Sequence, residues 1–148
     1  MSWGTFSGEA PALEAVGRQR LAGRVCYLAT TTATSSAPRV HPVTPIISGE
    51  RLFLFMEPAS PKGRDLDIDP RYALHCGVED DAGGAGEFFV SGTAQRTTDP
   101  ALRLEAVAAA SYAPADRYVL FQLLVAKATL RRYIEGVPRS QSWRSSTE

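Results

Sequence analysis

Short apolar runs, separated by turn residues, follow one another along most of this 148-residue chain. They are rich in β-branched and aromatic residues, and they lie at residues 24–32, 39–47, 51–56, 72–78, 87–96, 117–126 and 128–134. Runs of this length and composition predict β-strands, and their hairpin-scale spacing predicts antiparallel pairing. Because regular helices do not separate them, six or seven such strands favour an antiparallel barrel over a doubly wound sheet.

Few segments have the features of a helix. Apolar residues recur among polar ones within residues 9–22, and Gly23 follows where a helix C-cap is expected. Asp99 followed by Pro100 predicts the start of another helix, which runs to about residue 111.

The overall composition limits the partners of the chain. Lys+Arg and Asp+Glu number 16 each, so the formal net charge is zero, which argues against a protein built mainly for nucleic acid or membrane surfaces. The N-terminus lacks the pattern of a secretory signal, so we expect a cytoplasmic protein. The length predicts a single domain over 1–148, with loosely ordered tails at 1–8 and 136–148. Cys26 and Cys76 lie in apolar runs and are expected to be reduced and buried.

The stretch 51–76 predicts a strand, a turn, a short helix and a return strand. Ser60 is suited to cap the helix and Pro61 to its first position. Lys62 and Arg64 then fall in the first turn, where cations face the positive end of the helix dipole. A bound anion, typically a phosphate, would explain them.

The same stretch allows a simpler interpretation. Asp65, Asp67 and Asp69 follow directly and could neutralise both cations, which would leave an ordinary solvated turn. The residues of this stretch leave the two interpretations open.

Motifs that carry their own chemistry are missing. The sequence has no GxSxG nucleophile elbow and no dinucleotide fingerprint before a helix. The histidines, His41 and His75, match no metal-ligand spacing together with the cysteines. We therefore name no catalytic residue and no metal ligand. An anion site in a barrel without an acid, base or nucleophile suits a cofactor that brings its own reactivity, such as a flavin.

The order of several segments resembles the pyridoxamine 5′-phosphate oxidase-like flavin-binding split barrels. Residues 60–66 carry an SxKGxxL pattern and residues 69–74 read DPRYAL, which together look like the family's phosphate turn and following strand. Arg39 opens RVHPV and resembles the family's phosphate-binding strand arginine, and residues 90–94 resemble its later strand with a GxA signature. The resemblance implies a six-stranded antiparallel split β-barrel with an N-terminal helix and one helix after the fifth strand.

The resemblance also implies a homodimer with two FMN molecules at the subunit interface. In the family, residues matching Ser60, Lys62 and Arg39 contact the FMN phosphate, and backbone groups at Phe55 and Met56 face the isoalloxazine ring. The expected cofactor-binding residues are Arg39, Val40, His41, Pro42, Phe55, Met56, Ser60, Lys62, Gly63, Arg64, Glu87 and Trp143.

The sequence departs from the oxidases proper at several positions. They carry an arginine at the place of Pro61, a lysine at that of Thr44, and a flavin-contacting glutamine near Glu87. Their C-terminal substrate-binding motif is missing, although Trp143 and Arg144 resemble a remnant of a tail that reaches the partner's site. The resemblance is therefore to the broad, functionally mixed branch of the family, whose members use FMN, a deazaflavin coenzyme or haem.

Three functions are compatible with these features. The first is an FMN-dependent oxidoreductase that acts on an unidentified small molecule. The second is a carrier of flavin, deazaflavin or haem without turnover, with His41 or His75 as the haem ligand. The third is a barrel that has lost its cofactor and serves in protein interaction. We expect the first, because Arg39, Lys62 and Arg64 supply the charge and geometry that a phosphate needs.

Overall fold

The computed structural model describes residues 1–79 and 84–146. The helices are α1 (Trp3–Glu9), α2 (Pro11–Leu21), α3 (Pro61–Ile68) and α4 (Pro100–Ala109). The strands are β1 (Cys26–Thr31), β2 (Pro38–Val43), β3 (Ile46–Ile47), β4 (Leu52–Met56), β5 (Arg71–His75), β6 (Glu87–Thr97), β7 (Val119–Ile134) and β8 (Val137–Arg144). Among these residues, no helix is both long and apolar enough to cross a membrane.

The strands form one antiparallel sheet in the order β2-β1-β5-β6-β7-β4-β3, and β8 pairs with β7. The sheet is not closed, because β2 and β3 lie at its two ends. The predicted mainly β, antiparallel architecture is confirmed, with eight strands among the described residues instead of six. Part of the difference arises at Pro45, which has no backbone N–H for a ladder and separates β2 from β3. Counted this way, α4 follows the sixth strand rather than the fifth.

Strand β4 lies at the centre of the core, and all five of its residues are buried. Leu54 and Met56 belong to the main hydrophobic cluster. Phe53 and Phe55 belong to a smaller cluster that α4 covers through Ala106. Burial on both faces explains why the sequence of this strand is continuously apolar rather than alternating.

The predicted helix boundaries agree closely with the structure. Helix α2 lies within the predicted range 9–22, and Gly23 follows it with a φ of 68°. Asp99 caps α4 by accepting a hydrogen bond of 2.9 Å from the backbone N–H of Ala101. This helix ends at Ala109, slightly before the predicted position.

The expectation of loosely ordered tails is wrong for α1 and β8. Helix α1 buries Trp3 and Phe6 completely. Strand β8 brings Trp143 against Phe6, with 5.1 Å between the ring centroids. Aromatic side chains of this size bury enough area to hold both ends of the chain on the core.

The two runs predicted at 117–126 and 128–134 form the single strand β7. A two-residue turn then returns the chain into β8, which was not predicted. Glu135 and Gly136 make this turn with positive φ angles of 51° and 77°, as a type I′ hairpin requires.

Candidate functional site

Helix α3 begins directly after Ser60, whose Oγ accepts a hydrogen bond of 3.2 Å from the backbone N–H of Gly63. Pro61 occupies the first helical position, as predicted. A Cβ on Gly63 would lie 3.1 Å from Oγ of Ser60 and 3.8 Å from Sδ of Met56. The glycine therefore allows the start of α3 to pack closely against the end of β4.

The three aspartates of this region bind arginines instead of the two cations beside them. The ion pairs are Asp65 with Arg39, Asp67 with Arg96, and Asp69 with Arg71. The side chain of Lys62 makes no hydrogen bond or ion pair with any described residue, and Arg64 only approaches the backbone oxygen of Ala59 at 3.5 Å. The local neutralisation that the sequence allowed is thus not observed in the described part of the chain. Both cations remain at the positive end of α3.

Asp65 is a buried carboxylate with 2% of its surface exposed. It accepts hydrogen bonds from Oγ1 of Thr30 at 2.8 Å, from the backbone N–H of Ala33 at 3.2 Å and from Nε of Arg39 at 2.9 Å. Burial raises the pKa of Asp65, but the three hydrogen bonds outweigh burial and hold that pKa below its usual value. The carboxylate is therefore ionised at neutral pH.

The guanidinium of Arg39 is held through Nε alone. Its two Nη groups make no hydrogen bond to a described residue. Arg39 lines a cavity of about 220 Å³ together with Arg64, Asp65, Ala33 and Pro61. A guanidinium with two free, parallel donors beside a cavity is suited to bidentate binding of a phosphate or carboxylate.

A second cavity of about 330 Å³ includes Lys62 and continues along the end of β4. Its lining residues are Pro42, Val43, Thr44, Phe55, Met56, Glu57, Lys62, Tyr112 and Tyr118. Six of these nine side chains are apolar or aromatic, but polar atoms supply the larger part of the exposed lining, and the cavity is open to solvent. The aromatic side chains could contact a planar ring, and the polar atoms could bind the polar groups of a ligand.

His41 carries an unsatisfied polar atom near this cationic region. Its Nε2 is buried and has no hydrogen-bond partner among the described residues. Burial, followed by the charges of Lys62 and Arg39, lowers the pKa of His41 below its ordinary value of 6.5. The imidazole is therefore neutral at neutral pH. A buried polar atom without a partner is costly unless a ligand or water satisfies it. Because His41 lines neither cavity, its Nε2 does not by itself locate a ligand.

Six of the twelve predicted cofactor-binding residues line neither cavity. His41, Ser60 and Gly63 are sequence neighbours of lining residues, whereas the other three lie elsewhere. Val40 points to the opposite face of β2 and is 66% exposed. Glu87 is bound to Nη1 of Arg131 at 3.1 Å. Trp143 is buried in the core, and its indole N–H donates to Oε1 of Glu9 at 3.0 Å. Within one chain, the structure does not bring these three side chains to the cavities.

Several residues of the site were not predicted from the sequence. Tyr112 and Tyr118 enter the second cavity from the segment between α4 and β7, which has no recognisable motif. Burial, with a smaller effect of Tyr118, raises the pKa of Tyr112, so its phenol remains a hydrogen-bond donor at neutral pH. The role of Asp65 was also missed, because its partners on β1 and β2 are distant in sequence.

No protein-family model and no curated protein sequence matches this chain, but solved structures do. A haem-binding protein from Mycobacterium smegmatis is 22% identical with a TM-score of 0.67 over 88% of this chain, which spans 57% of that protein. A Listeria innocua protein named after pyridoxamine 5′-phosphate oxidase is 14% identical with a TM-score of 0.60. The alignment covers 84% of this chain and 97% of the Listeria chain. An F420 reductase is 20% identical with a TM-score of 0.57. The alignment covers 75% of this chain and 94% of the reductase chain.

These likenesses define the class of fold. The chain has the split-barrel fold of the pyridoxamine 5′-phosphate oxidase-like proteins, and the resemblance predicted from the sequence is confirmed at that level. The names of the matched proteins refer to haem, to pyridoxamine phosphate and to F420.

Proposed function

We propose that this protein binds FMN and serves as an FMN-dependent oxidoreductase for a small organic molecule. The observation that carries the proposal is a set of cations with free donors: among the described residues, Lys62 and Arg64 form no ion pair, and the Nη groups of Arg39 make no hydrogen bond. The nearby carboxylate of Glu57 interacts with the charge of Lys62 but is itself paired with Arg117. A phosphate monoester carries nearly two negative charges at neutral pH and accepts several hydrogen bonds. It therefore matches this arrangement better than a carboxylate does.

In this proposal the two cavities hold the two parts of one ligand. The phosphate would lie near Arg39 and Arg64 in the smaller cavity, and Lys62 would bind it from the side of the larger one. The ring would lie against Phe55 and Met56 at the end of β4. Contact with these two apolar side chains would shield one face of the ring from water.

FMN would supply the hydride or electron transfer, so the protein needs no nucleophile of its own. The residues of the chain would hold the phosphate, orient the ring and keep water away from it. Tyr112 and Tyr118 would offer phenolic donors at the edge of the larger cavity, where a substrate would enter. Glu57 is bound to Arg117 in a side-chain ion pair, which leaves it a poor general base.

The homodimer remains part of the proposal, supported by an exposed apolar patch on the outer face of β1 and β2. Tyr27 is 47% exposed and pairs with Pro42, while the 66% exposed Val40 pairs with Ala29 on the same face. Adjacent exposed apolar residues on a sheet mark an interaction surface. Pro42 also lines the larger cavity, so a second copy seated on this patch would border the ring.

The first test is an absorbance spectrum of the purified protein before and after addition of FMN, with excess removed by gel filtration. Retained flavin bands would support the proposal. A protein that retains no FMN at micromolar concentration would reject it.

The variant Val40→Glu tests the dimer. A charge on the patch should give monomers in sedimentation experiments and lower the affinity for FMN. Wild-type protein that sediments as a monomer with bound FMN would reject the dimer alone.

Haem or a deazaflavin coenzyme is the second candidate, favoured by the names of two structural neighbours. For haem, His75 is a poor ligand in this structure. Its Nδ1 lies 2.6 Å from the backbone oxygen of Cys76, and hydrogen bonding to Cys76, together with Glu87, raises the pKa of His75 to about 9. A protonated imidazole does not bind iron. A Soret band that His41→Ala abolishes would establish haem in place of FMN.

A further inference from the structure

We propose that Asp65 is a positioning residue for the phosphate site: its buried carboxylate fixes Arg39 so that both Nη groups are presented to the ligand. The inference rests on the proposed function, because it assigns the phosphate of the cofactor to Arg39. The resemblance to the split-barrel family carries a role for Arg39 but none for Asp65.

The geometry around Asp65 joins three elements: α3 and β2, which line the smaller cavity, and β1, which leads into the lining residues Ala33 and Thr34. The carboxylate belongs to α3, Thr30 to β1 and Arg39 to β2. Thr30 and Arg39 are directly paired across β1 and β2, so their side chains leave the sheet on the same face. One oxygen, Oδ2, accepts from both Thr30 and Arg39, and the other, Oδ1, accepts from the backbone N–H of Ala33.

The hydrogen bond from Arg39 to Asp65 restrains the otherwise flexible arginine side chain. An arginine side chain loses substantial rotamer entropy when a ligand immobilises it. The bond of 2.9 Å between Nε of Arg39 and Oδ2 of Asp65 fixes the plane of the guanidinium before any ligand arrives. Preorganisation of this kind increases affinity, because less conformational entropy is lost when the ligand binds.

Charge and positioning predict opposite results for the variant Asp65→Asn. The substitution removes a negative charge beside the cavity, so a purely Coulombic role of Asp65 predicts tighter binding of an anion. A positioning role predicts weaker binding, because an asparagine amide cannot hold the charged guanidinium as a carboxylate does. The sign of the change therefore separates the two roles.

The experiment compares FMN and riboflavin affinities, measured by flavin fluorescence, for the wild type, Asp65→Asn, Arg39→Gln and the double variant. We expect Asp65→Asn to weaken FMN binding by about tenfold and to leave riboflavin, which lacks the phosphate, unchanged. In the Arg39→Gln background, the same substitution should change FMN affinity by less than about twofold. The matched control is Asp67→Asn in the same helix, because Asp67 pairs with the distant Arg96 and should have no effect.

Tighter FMN binding by Asp65→Asn, or an equal loss in the Arg39→Gln background, would overturn the proposal. A second measurement keeps the test valid if Asp65→Asn does not fold or if the protein binds no flavin. In unliganded wild-type protein, the Arg39 Nε–H resonance, assigned by its loss in Arg39→Gln, should be shifted and protected from exchange. Inorganic phosphate should perturb it. If the Arg39 Nε–H resonance has the chemical shift and fast exchange of solvated arginines, Asp65 does not position Arg39. If the resonance is protected but FMN does not bind, the positioning role stands and only the assignment of a flavin fails.

Discussion

Replacement of Lys62 by alanine tests the central cation of the site. The side chain is half-buried and forms no hydrogen bond or ion pair with a described residue. Its charge acts on Glu57 only over a longer distance, so its N–H donors are available to a ligand. A charge-assisted hydrogen bond contributes about 1.5–3 kcal/mol. Because solvent reaches this side chain, we expect the lower end of that range, which corresponds to about a tenfold loss of FMN affinity. Riboflavin affinity should not change.

The stability of the unliganded protein provides an independent check on the same variant. A cation in the first turn of α3 opposes the helix dipole by about 0.3–1 kcal/mol, so Lys62→Ala should leave the unliganded protein as stable as the wild type or slightly more stable. Arg132→Ala, on the exposed end of β7, controls for general loss of charge. Fluorescence titration and chemical denaturation measure the two effects. Unchanged FMN affinity, or a clear loss of stability without ligand, would refute the assignment of Lys62 to the phosphate.

Three further predictions concern other residues. Burial, followed by the charges of Lys62 and Arg39, lowers the pKa of His41 below 6.5. A bound phosphate should offset those two charges, so FMN binding should be accompanied by proton uptake at His41 as the pH falls below about 6.5; His41→Gln should lack this uptake. Gly92→Ala should lower the free energy of unfolding by about 3 kcal/mol, because the added Cβ would lie 2.0 Å from the backbone oxygen of Leu124. Gly49→Ala is the control in the same denaturation series, because a Cβ there would have no atom within 4 Å. Trp143→Ala should cost about 3–5 kcal/mol of stability but leave FMN affinity of the folded protein unchanged; a selective loss of FMN binding would return Trp143 to the site.

The parts of the fold that the sequence predicted correctly are those encoded by neighbouring residues. The capped start of α3 follows from Ser60 and Pro61, and that of α4 from Asp99 and Pro100. The continuous apolar run within 51–56 predicted the strand β4, and all five of its residues are buried. In each case the signal and the structure that it specifies lie within one turn of helix or one strand, so no long-range information was needed.

The parts that were missed depend on contacts between distant residues. Helix α1 is short, and its order depends on the burial of Trp3 and Phe6 against the core rather than on helix propensity. Strand β8 is mostly polar and exposed, and its pairing with β7 begins at the turn of Glu135 and Gly136. This Glu-Gly pair is a weaker turn signal than Asn-Gly, so a continuous tail was the simpler expectation.

The candidate site shows the same limit in its electrostatics. Helix geometry permits pairs three residues apart, such as Lys62 with Asp65 and Arg64 with Asp67, and these pairs would have neutralised the first turn. A buried carboxylate, however, needs several donors at once, and Asp65 finds them in Thr30 and Arg39 because the β1–β2 register places those two residues opposite each other. The pairing register of β1 and β2 therefore determines that Asp65 binds Arg39 rather than Lys62. By satisfying Asp65 with donors from the sheet, the fold leaves the cations of α3 available to an anion from outside.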